Sequence, residues 1–386
     1  MHRLKLAWLV ILLCTCVQGL AVQLSSAARL SVLTCAPGTE IYSAYGHTAI
    51  RVNDPIQQLD VVYNYGIFDS YQEQFALKFA RGQLDYQLGT ESFAQFLGQY
   101  HYFGRGVVEQ TLDLTPAQMQ AVVDFLEWNN LPENRTYRYH FFFDNCSSRV
   151  LDVLRTELGD DLELAPEGAP TMERGRTFRH LIDDYQRVIP WTDLGIDLVL
   201  GMPCDSVVKV HQEAFLPDYL LDELSVAQVN GHPLVKSTRE ILPQRAGAPE
   251  RGPSPTAVLW IVCLLLVLLL LITASRAHRW MRTLSWVVLS VFAVLGVVLL
   301  LMWVATDHDT TVRNWNLMLA PATLVLLLVP GLCKPLRWFH IGLAGVFLLG
   351  WAWWPQQLHP STIPMTLVLI TALVTPLWSA KRHANE

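Results

Sequence analysis

Two patterns of apolar and polar positions divide this chain. Between about residues 28 and 239 apolar residues are interleaved with polar ones, and from residue 256 they merge into long runs. In the first region "RLSVLTC" (29–35), "HTAIRV" (47–52) and "LDVVYNYG" (59–66) read as strands. Helical spacing marks "YQEQFALKFARG" (71–82), "TPAQMQAVVDFLEWNN" (115–130) and the segment opening at Cys146. Thr115 followed by Pro116 makes a good helix start. This mixture predicts one α+β domain over 28–239. A linker rich in Pro, Gly and charge follows at 240–255, clearest in "RAGAPERGPSP". Five apolar segments come next, at roughly 256–274, 284–304, 316–332, 339–354 and 363–379, and predict a bundle of about five transmembrane helices over 256–380. The first two are long enough to span a bilayer; the others are shorter or contain proline.

The N-terminus carries Arg3 and Lys5, an apolar run, and small residues at Gly19 and Ala21, the layout of a secretory signal or signal anchor over 1–21. The loops at 275–282, 333–337 and 380–383 are basic, whereas 307–316 and 353–362 are not. Basic loops inside put the 28–239 domain and the other two loops on the outer side. The 52% hydrophobic content therefore describes a membrane half joined to an ordinary globular half. A formal net charge of −6 argues against nucleic acid, because no basic field exists to neutralise phosphates. Of seven cysteines, the exported domain keeps Cys35, Cys146 and Cys204, so at least one is unpaired there; a Cys35–Cys204 bridge is open.

In "YHFFFDNCSSRVLDVL" (139–154), Asp144 and Asn145 are helix N-cap residues, and Val150, Leu154 and Leu158 then recur on one face. Cys146 falls in the first turn, where free N–H groups and the helix dipole favour a thiolate and supply oxyanion donors. A buried structural cysteine fits the same local pattern. His47 in "YSAYGHTAIRV" opens a strand after Gly46 and is the first candidate base, ahead of His140. Asn64 in "VVYNYG" is a candidate to orient it, as in papain-type sites. No metal-ligand spacing, phosphate loop or dinucleotide fingerprint appears, so no cofactor and no metal are expected.

"LTCAPGTEIYSAYGHTAIRV", "NYGIFD", "FALKFARGQLDY", "YRYHFFFDNCSSRVLD", "FLPDYL" and "TDHDTTVRNWNLMLAP" resemble the Lnb-type lipoprotein N-acyltransferases of Bacteroidota over nearly the whole chain. "NCSSRVLD" stands where that family more often reads Asn-Cys-Ala-Thr-Arg; Cys146 and Arg149 are kept. The order of histidine before cysteine is similar to permuted NlpC-like (papain-like) hydrolases and the lecithin:retinol acyltransferase group. These resemblances imply a bacterial inner-membrane enzyme with a permuted papain-like domain facing the periplasm. It would pass a fatty acyl chain from phospholipid, through a Cys146 thioester, to the N-terminal amine of a diacylated lipoprotein.

Tyr45, Asn145, Arg149, Arg51 and Arg105 are then candidates for substrate binding, as are His308, Asn314 and Asn316 on the outer loop. "FLPDYLLDEL" (215–224) and Trp351, Trp353 and Trp354 are candidates for the lipid interface. The rival readings are a membrane-anchored cysteine peptidase or amidase, which admits water to the thioester, and a non-catalytic scaffold.

Overall fold

The computed structural model describes residues 22–40, 43–69, 71, 73–164, 175–245, 252–273, 278–329 and 333–383. The signal-like segment, with Cys14 and Cys16, and the middle of the linker lie outside the described residues.

The exported half is built on an antiparallel sheet. Its strands are β1 (Arg29–Cys35), β2 (His47–Asp54), β3 (Leu59–Ile67), β4 (Asp85–Ser92), β5 (Val107–Leu112) and β6 (Thr136–Arg138). A small separate sheet pairs β7 (Leu162–Glu163), β8 (Gln228–Val229) and β9 (His232–Pro233), and β10 (Val235–Leu242) joins the large one, whose order is β10-β5-β1-β2-β3-β4-β6. The sheet therefore uses residues up to Leu242, past the boundary expected at 239, and Leu24 and Ser25 already bond to Gln120 and Asp54.

Period-two alternation sorts the side chains onto two faces. Ile50, Val52, Tyr63 and Tyr65 face a core shared with Val122, Val123 and Leu126 of one helix and with the stripe of another. Leu33, Ala49 and Val62 face Phe96 and Tyr100. The helices of this half are α1 (Phe75–Ala80), α2 (Phe93–Tyr102), α3 (Pro116–Asn129), α4 (Cys146–Leu158), α5 (Phe178–Gln186), α6 (Pro190–Val199) and α7 (Pro217–Val226). In α4, Val150, Leu151, Val153, Leu154 and Leu158 are buried. Each such side chain contributes roughly 1.5–3 kcal/mol on full burial, so tertiary packing holds a helix whose two leading serines are poor formers. The segment 215–224 is a correction. Leu220 and Leu224 of α7 are fully buried in the α4 core, so this helix packs inside the domain rather than against lipid.

The second half contains α8 (Pro255–Thr273), α9 (His278–Val304), α10 (Asn316–Leu319), α11 (Cys333–Gly350) and α12 (Thr362–His383). Trp280–Val304 is long and apolar enough to cross a membrane; Pro255–Leu269, Asn316–Leu328 and Thr362–Thr375 are apolar but shorter. The third expected span is not one helix. Pro321 cannot continue α10, and Ala322–Leu328 follows as a 3₁₀ segment. Gly296 of α9 lets this broken segment approach, since an added Cβ would collide with Ala320 O.

Both outer loops expected from the charge pattern touch the exported domain. Asn314 and Asn316, with Gln356, donate to the carbonyls of Asp197, Leu198, Val199 and Leu200. Those are the carbonyls that the end of α6 leaves without helical partners. Leu194 and Leu198 of α6 enter the apolar core of the membrane half. Gly201 N–H reaches Thr310 O at 2.8 Å, and an added Cβ there would strike Val312 O. The fully buried Arg179 fixes the seam, bonding Asp197 at 2.7 Å, Asp205 at 2.8 Å and the carbonyls of Leu200 and Gly201.

Candidate active site

The turn before α4 is closed by reciprocal backbone bonds between His140 and Asp144 and is anchored by buried Phe142. It delivers Asn145 to the N-cap. Asn145 Oδ1 accepts from Ser147 and Ser148 N–H, and its Nδ2 donates to Phe141 O and Phe215 O, both at 2.8 Å. That amide is fully occupied, so Asn145 positions the helix start and has no group left for substrate, a correction to its expected role. The Arg149 N–H takes Asn145 O. These bonds leave the Cys146 N–H at the open end of the helix, a natural oxyanion donor.

His47 is the first residue of β2, opposite Cys35 of β1. Gly46 before it has φ +84°, and an added Cβ would lie 2.7 Å from Cys35 O, so the entry to the strand admits only glycine there. At this end of the sheet His47 and the Thr48 N–H come beside the tip of α4, and both act on the Cys146 thiol to lower its pKa. The Thr48 and Ser147 hydroxyls pair at 2.8 Å and pin strand to helix. Gly66 of β3 closes the other side, where an added Cβ would stand 3.8 Å from Cys146 Cβ.

His47 Nε2 lies 3.1 Å from Asn64 Oδ1, and Asn64 Nδ2 donates to Glu91 Oε1 at 3.0 Å. Glu91 needs a donor, which orients the amide and leaves Oδ1 for the imidazole. With Nε2 taken, Nδ1 is the nitrogen available to the thiol. Gln99 bonds the other Glu91 oxygen at 2.7 Å. The relay runs Cys146–His47–Asn64–Glu91. Its last member has no local signature in the sequence, because only the register Val62↔Glu91 brings it there. A cleft of about 630 Å³ borders Glu91, Gln99 and Tyr102 rather than the sulfur.

Burial alone pushes the Cys146 thiol up. The His47 charge and hydrogen bond, with Thr48 N–H and Ser147, outweigh it and hold the thiol below its ordinary value. Burial opposes protonation of His47, yet Cys146 and Asn64 hold the imidazole above its ordinary value. Each group is thus drawn toward its charged form, Cys146 toward thiolate and His47 toward imidazolium. Burial drives Cys35 and Cys204 the other way, each to about 12. These two thiols are free and sit in different clusters, Cys35 beside Tyr100 and Cys204 beside Thr310 O, so the open question of a bridge is answered against it. At pH 7, iodoacetamide is expected to alkylate Cys146 at least tenfold faster than Cys35 or Cys204 in the folded chain. The Cys146 rate should be flat toward alkaline pH and fall as pH drops through its lowered pKa, about tenfold per unit below it, because the thiolate is then protonated. Peptide mapping that found the three thiols equally reactive would contradict the pairing.

The other expected residues fall away from the sulfur or are already engaged. Arg51 forks onto Asp60, reaches Glu109 at 2.8 Å and stacks 3.3 Å over Phe93, so it ties strands together and is not a phosphate ligand. Arg149 is held by Asp144 and lies 3.7 Å over Tyr137. Arg105 donates to Ala36 O beside Tyr100. His140 accepts two backbone N–H groups at Nδ1 and meets Asp309 at 2.9 Å through Nε2; it joins the two halves and is not the base. His308 packs against Gly82 and Phe79 O, and Asn316 caps α6. Tyr45 accepts from Gln186 Nε2 at 2.8 Å between the rings of Phe141 and Tyr185, keeping its own hydroxyl proton to donate. Trp351 and Trp354 bond within the helical half, and Trp353 is exposed. The carboxylates of Asp183, Asp193 and Asp197 converge to within 4.8 Å, an arrangement no spacing revealed. Arg179, His359 and Gln357 take them up, while burial and the neighbouring aspartates raise Asp183 to about 7, so it holds a proton near neutral pH.

Residues 21–184 match the Lnb N-terminal periplasmic domain, and residues 248–383 match the Lnb transmembrane domain. The chain belongs to the Lnb family. It is thus a membrane protein whose N-terminal domain is periplasmic. The two outer loops of the Lnb transmembrane domain, packed on that domain, share its side. His47, Asn64, Glu91 and Cys146 all lie within the span 21–184 of the Lnb periplasmic domain. No curated protein and no solved structure matches the chain.

Proposed function

We propose that this Lnb protein is a cysteine acyltransferase that moves a fatty acyl chain from a phospholipid to the N-terminal amine of a diacylated lipoprotein. The observation that carries the reading is the activated Cys146–His47 pair at a helix start, in a domain seated directly on a membrane region.

In the first half-reaction the Cys146 thiolate attacks an ester carbonyl carbon of the phospholipid. The C–S bond forms, and the oxyanion meets the Cys146 N–H. Collapse breaks the ester C–O bond; the departing alkoxide takes the proton of His47, and lysophospholipid leaves. In the second, neutral His47 accepts a proton from the incoming amine as the C–N bond forms and the C–S bond breaks. Thiolate and imidazolium are thereby restored. Asn64, held by Glu91, keeps the imidazole ring aligned through both halves.

The test is the intact mass of the full chain after incubation with phospholipid and no acceptor. An increment of one acyl chain, removed by hydroxylamine and transferred to an added diacylated lipopeptide, is expected. An unmodified mass with several phospholipids would sink the reading. Release of the acyl group only as free fatty acid would favour a hydrolase built on the same pair.

A further inference from the structure

α1 and the strand end before it form an apolar surface that the acyl-transfer chemistry above does not use. α1 has no buried residue: Leu77 and Phe79 are 52% and 57% exposed, and Ile67 and Phe68 just upstream are also exposed. A six-residue helix with its apolar side chains turned outward has no stability of its own in water. It is held by the outer loop of the membrane half. Asp307 N–H donates to Arg81 O at 2.8 Å, Gln83 Nε2 reaches Asp307 at 3.0 Å, and His308 packs on Gly82 and Phe79 O. Asp307 lies only three residues beyond Val304, the end of the membrane-crossing helix, so α1 stands within about 10 Å of that end.

From this edge a series of aromatic rings leads toward the sulfur. Phe79 stacks with Phe75 at 6.2 Å, Phe75 with Phe68 at 5.9 Å, Phe68 contacts Tyr86 at 5.3 Å, and Tyr86 stacks on Tyr139 at 4.3 Å. Tyr139 and Cys146 pack on the same core, and Gly66, whose α-carbon faces Cys146, is followed directly by Ile67 and Phe68. Exposed Arg81 follows the apolar side chains, as cations do beside anionic head groups.

We propose that α1 with Ile67 and Phe68 is the lipid-entry surface: it lies in the outer leaflet, continuous with Trp280–Val304, and leads the acyl ester of a membrane phospholipid along the aromatic series to Cys146. The occupant is a bilayer lipid, not a protein. Its guiding role rests on the proposed acyl transfer; its seat in the leaflet does not.

The experiment uses the full chain in bilayer discs containing a phospholipid with a diazirine in one acyl chain. After photolysis, mass spectrometry is expected to find adducts on residues 67–80 as well as on Trp280–Val304. Adducts on Trp280–Val304 with residues 67–80 unlabelled would overturn the lipid seat, whatever the enzyme does. A Leu77→Asp/Phe79→Asp chain is then compared with wild type. Acyl uptake from disc phospholipid should fall at least tenfold while iodoacetamide alkylation of Cys146 stays unchanged. Equal uptake would overturn the guiding role, and labelled 67–80 with no uptake by wild type would remove the transferase reading and leave the lipid seat standing.

Discussion

Cys146→Ala chains are expected to take up no acyl group from phospholipid, and His47→Gln chains to take it up about 10²–10⁴-fold more slowly than wild type. The two differ in kind. Alanine removes the atom that forms the thioester, and it is a better helix former than cysteine at the first position of α4, so the fold should be untouched. Glutamine keeps a polar group near Asn64 but holds no charge, so Cys146 loses the largest of the influences that lower its pKa. Its thiol then returns upward under burial, and the nucleophile is protonated at neutral pH. The leaving alkoxide also loses its acid. Single-turnover acylation, followed by intact mass, separates the outcomes: persistence of a hydroxylamine-sensitive adduct in Cys146→Ala would place the nucleophile elsewhere. A His47→Gln rate within about threefold of wild type would remove His47 as the proton carrier.

The largest loss of stability is expected at the seam rather than at the site. Arg179→Leu should cost about 3–5 kcal/mol, because it strands Asp197 and Asp205 without their buried cation and uncaps the carbonyls of Leu200 and Gly201. For a domain of this size that corresponds to a fall in Tm on the order of 10 °C. Asp183 and Asp193 sit beside the same charge, so the damage spreads through the acidic cluster. Thermal unfolding in detergent, read by intrinsic fluorescence, checks it. A midpoint within a degree of wild type would mean that the seam does not depend on this ion network.

The juxtaposition of Cys146, His47 and Asn64, the candidate nucleophile, base and orienting group, was legible because each position is set by local rules. Asn145 and the Val150–Leu154–Leu158 stripe mark the start and face of α4, Gly46 marks the entry to a strand, and Asn64 lies on the next strand over. Glu91 was not legible, since β4 comes into place only through a register that shifts between Asn64 and Ile67. Arg51, Arg149, His308 and Asn316 looked like free polar groups because their partners, Asp60 and Glu109, Asp144, Gly82 and the end of α6, are mostly supplied by tertiary contacts. The helical, membrane character of the second half was legible from its apolar runs. The third segment failed as a single helix because Pro321 falls in its first turns, and the chain resumes as a 3₁₀ segment after a close approach to Gly296 of α9.

The free thiols bear on how this chain must be made. Cys35, Cys146 and Cys204 enter the periplasm, a compartment that oxidises accessible cysteines, yet all three end unpaired. Two are protected only because the finished sheet and the aromatic cluster shut them away. An unfolded chain offers all three at once to the disulfide-forming machinery, and any bridge between them would join residues that the fold holds in different places. Burial of Cys35 needs more than its hairpin: β2 and β5 flank it, and Phe96 and Tyr100 cover it, so the thiol is withdrawn only when residues from 35 to 107 have come together.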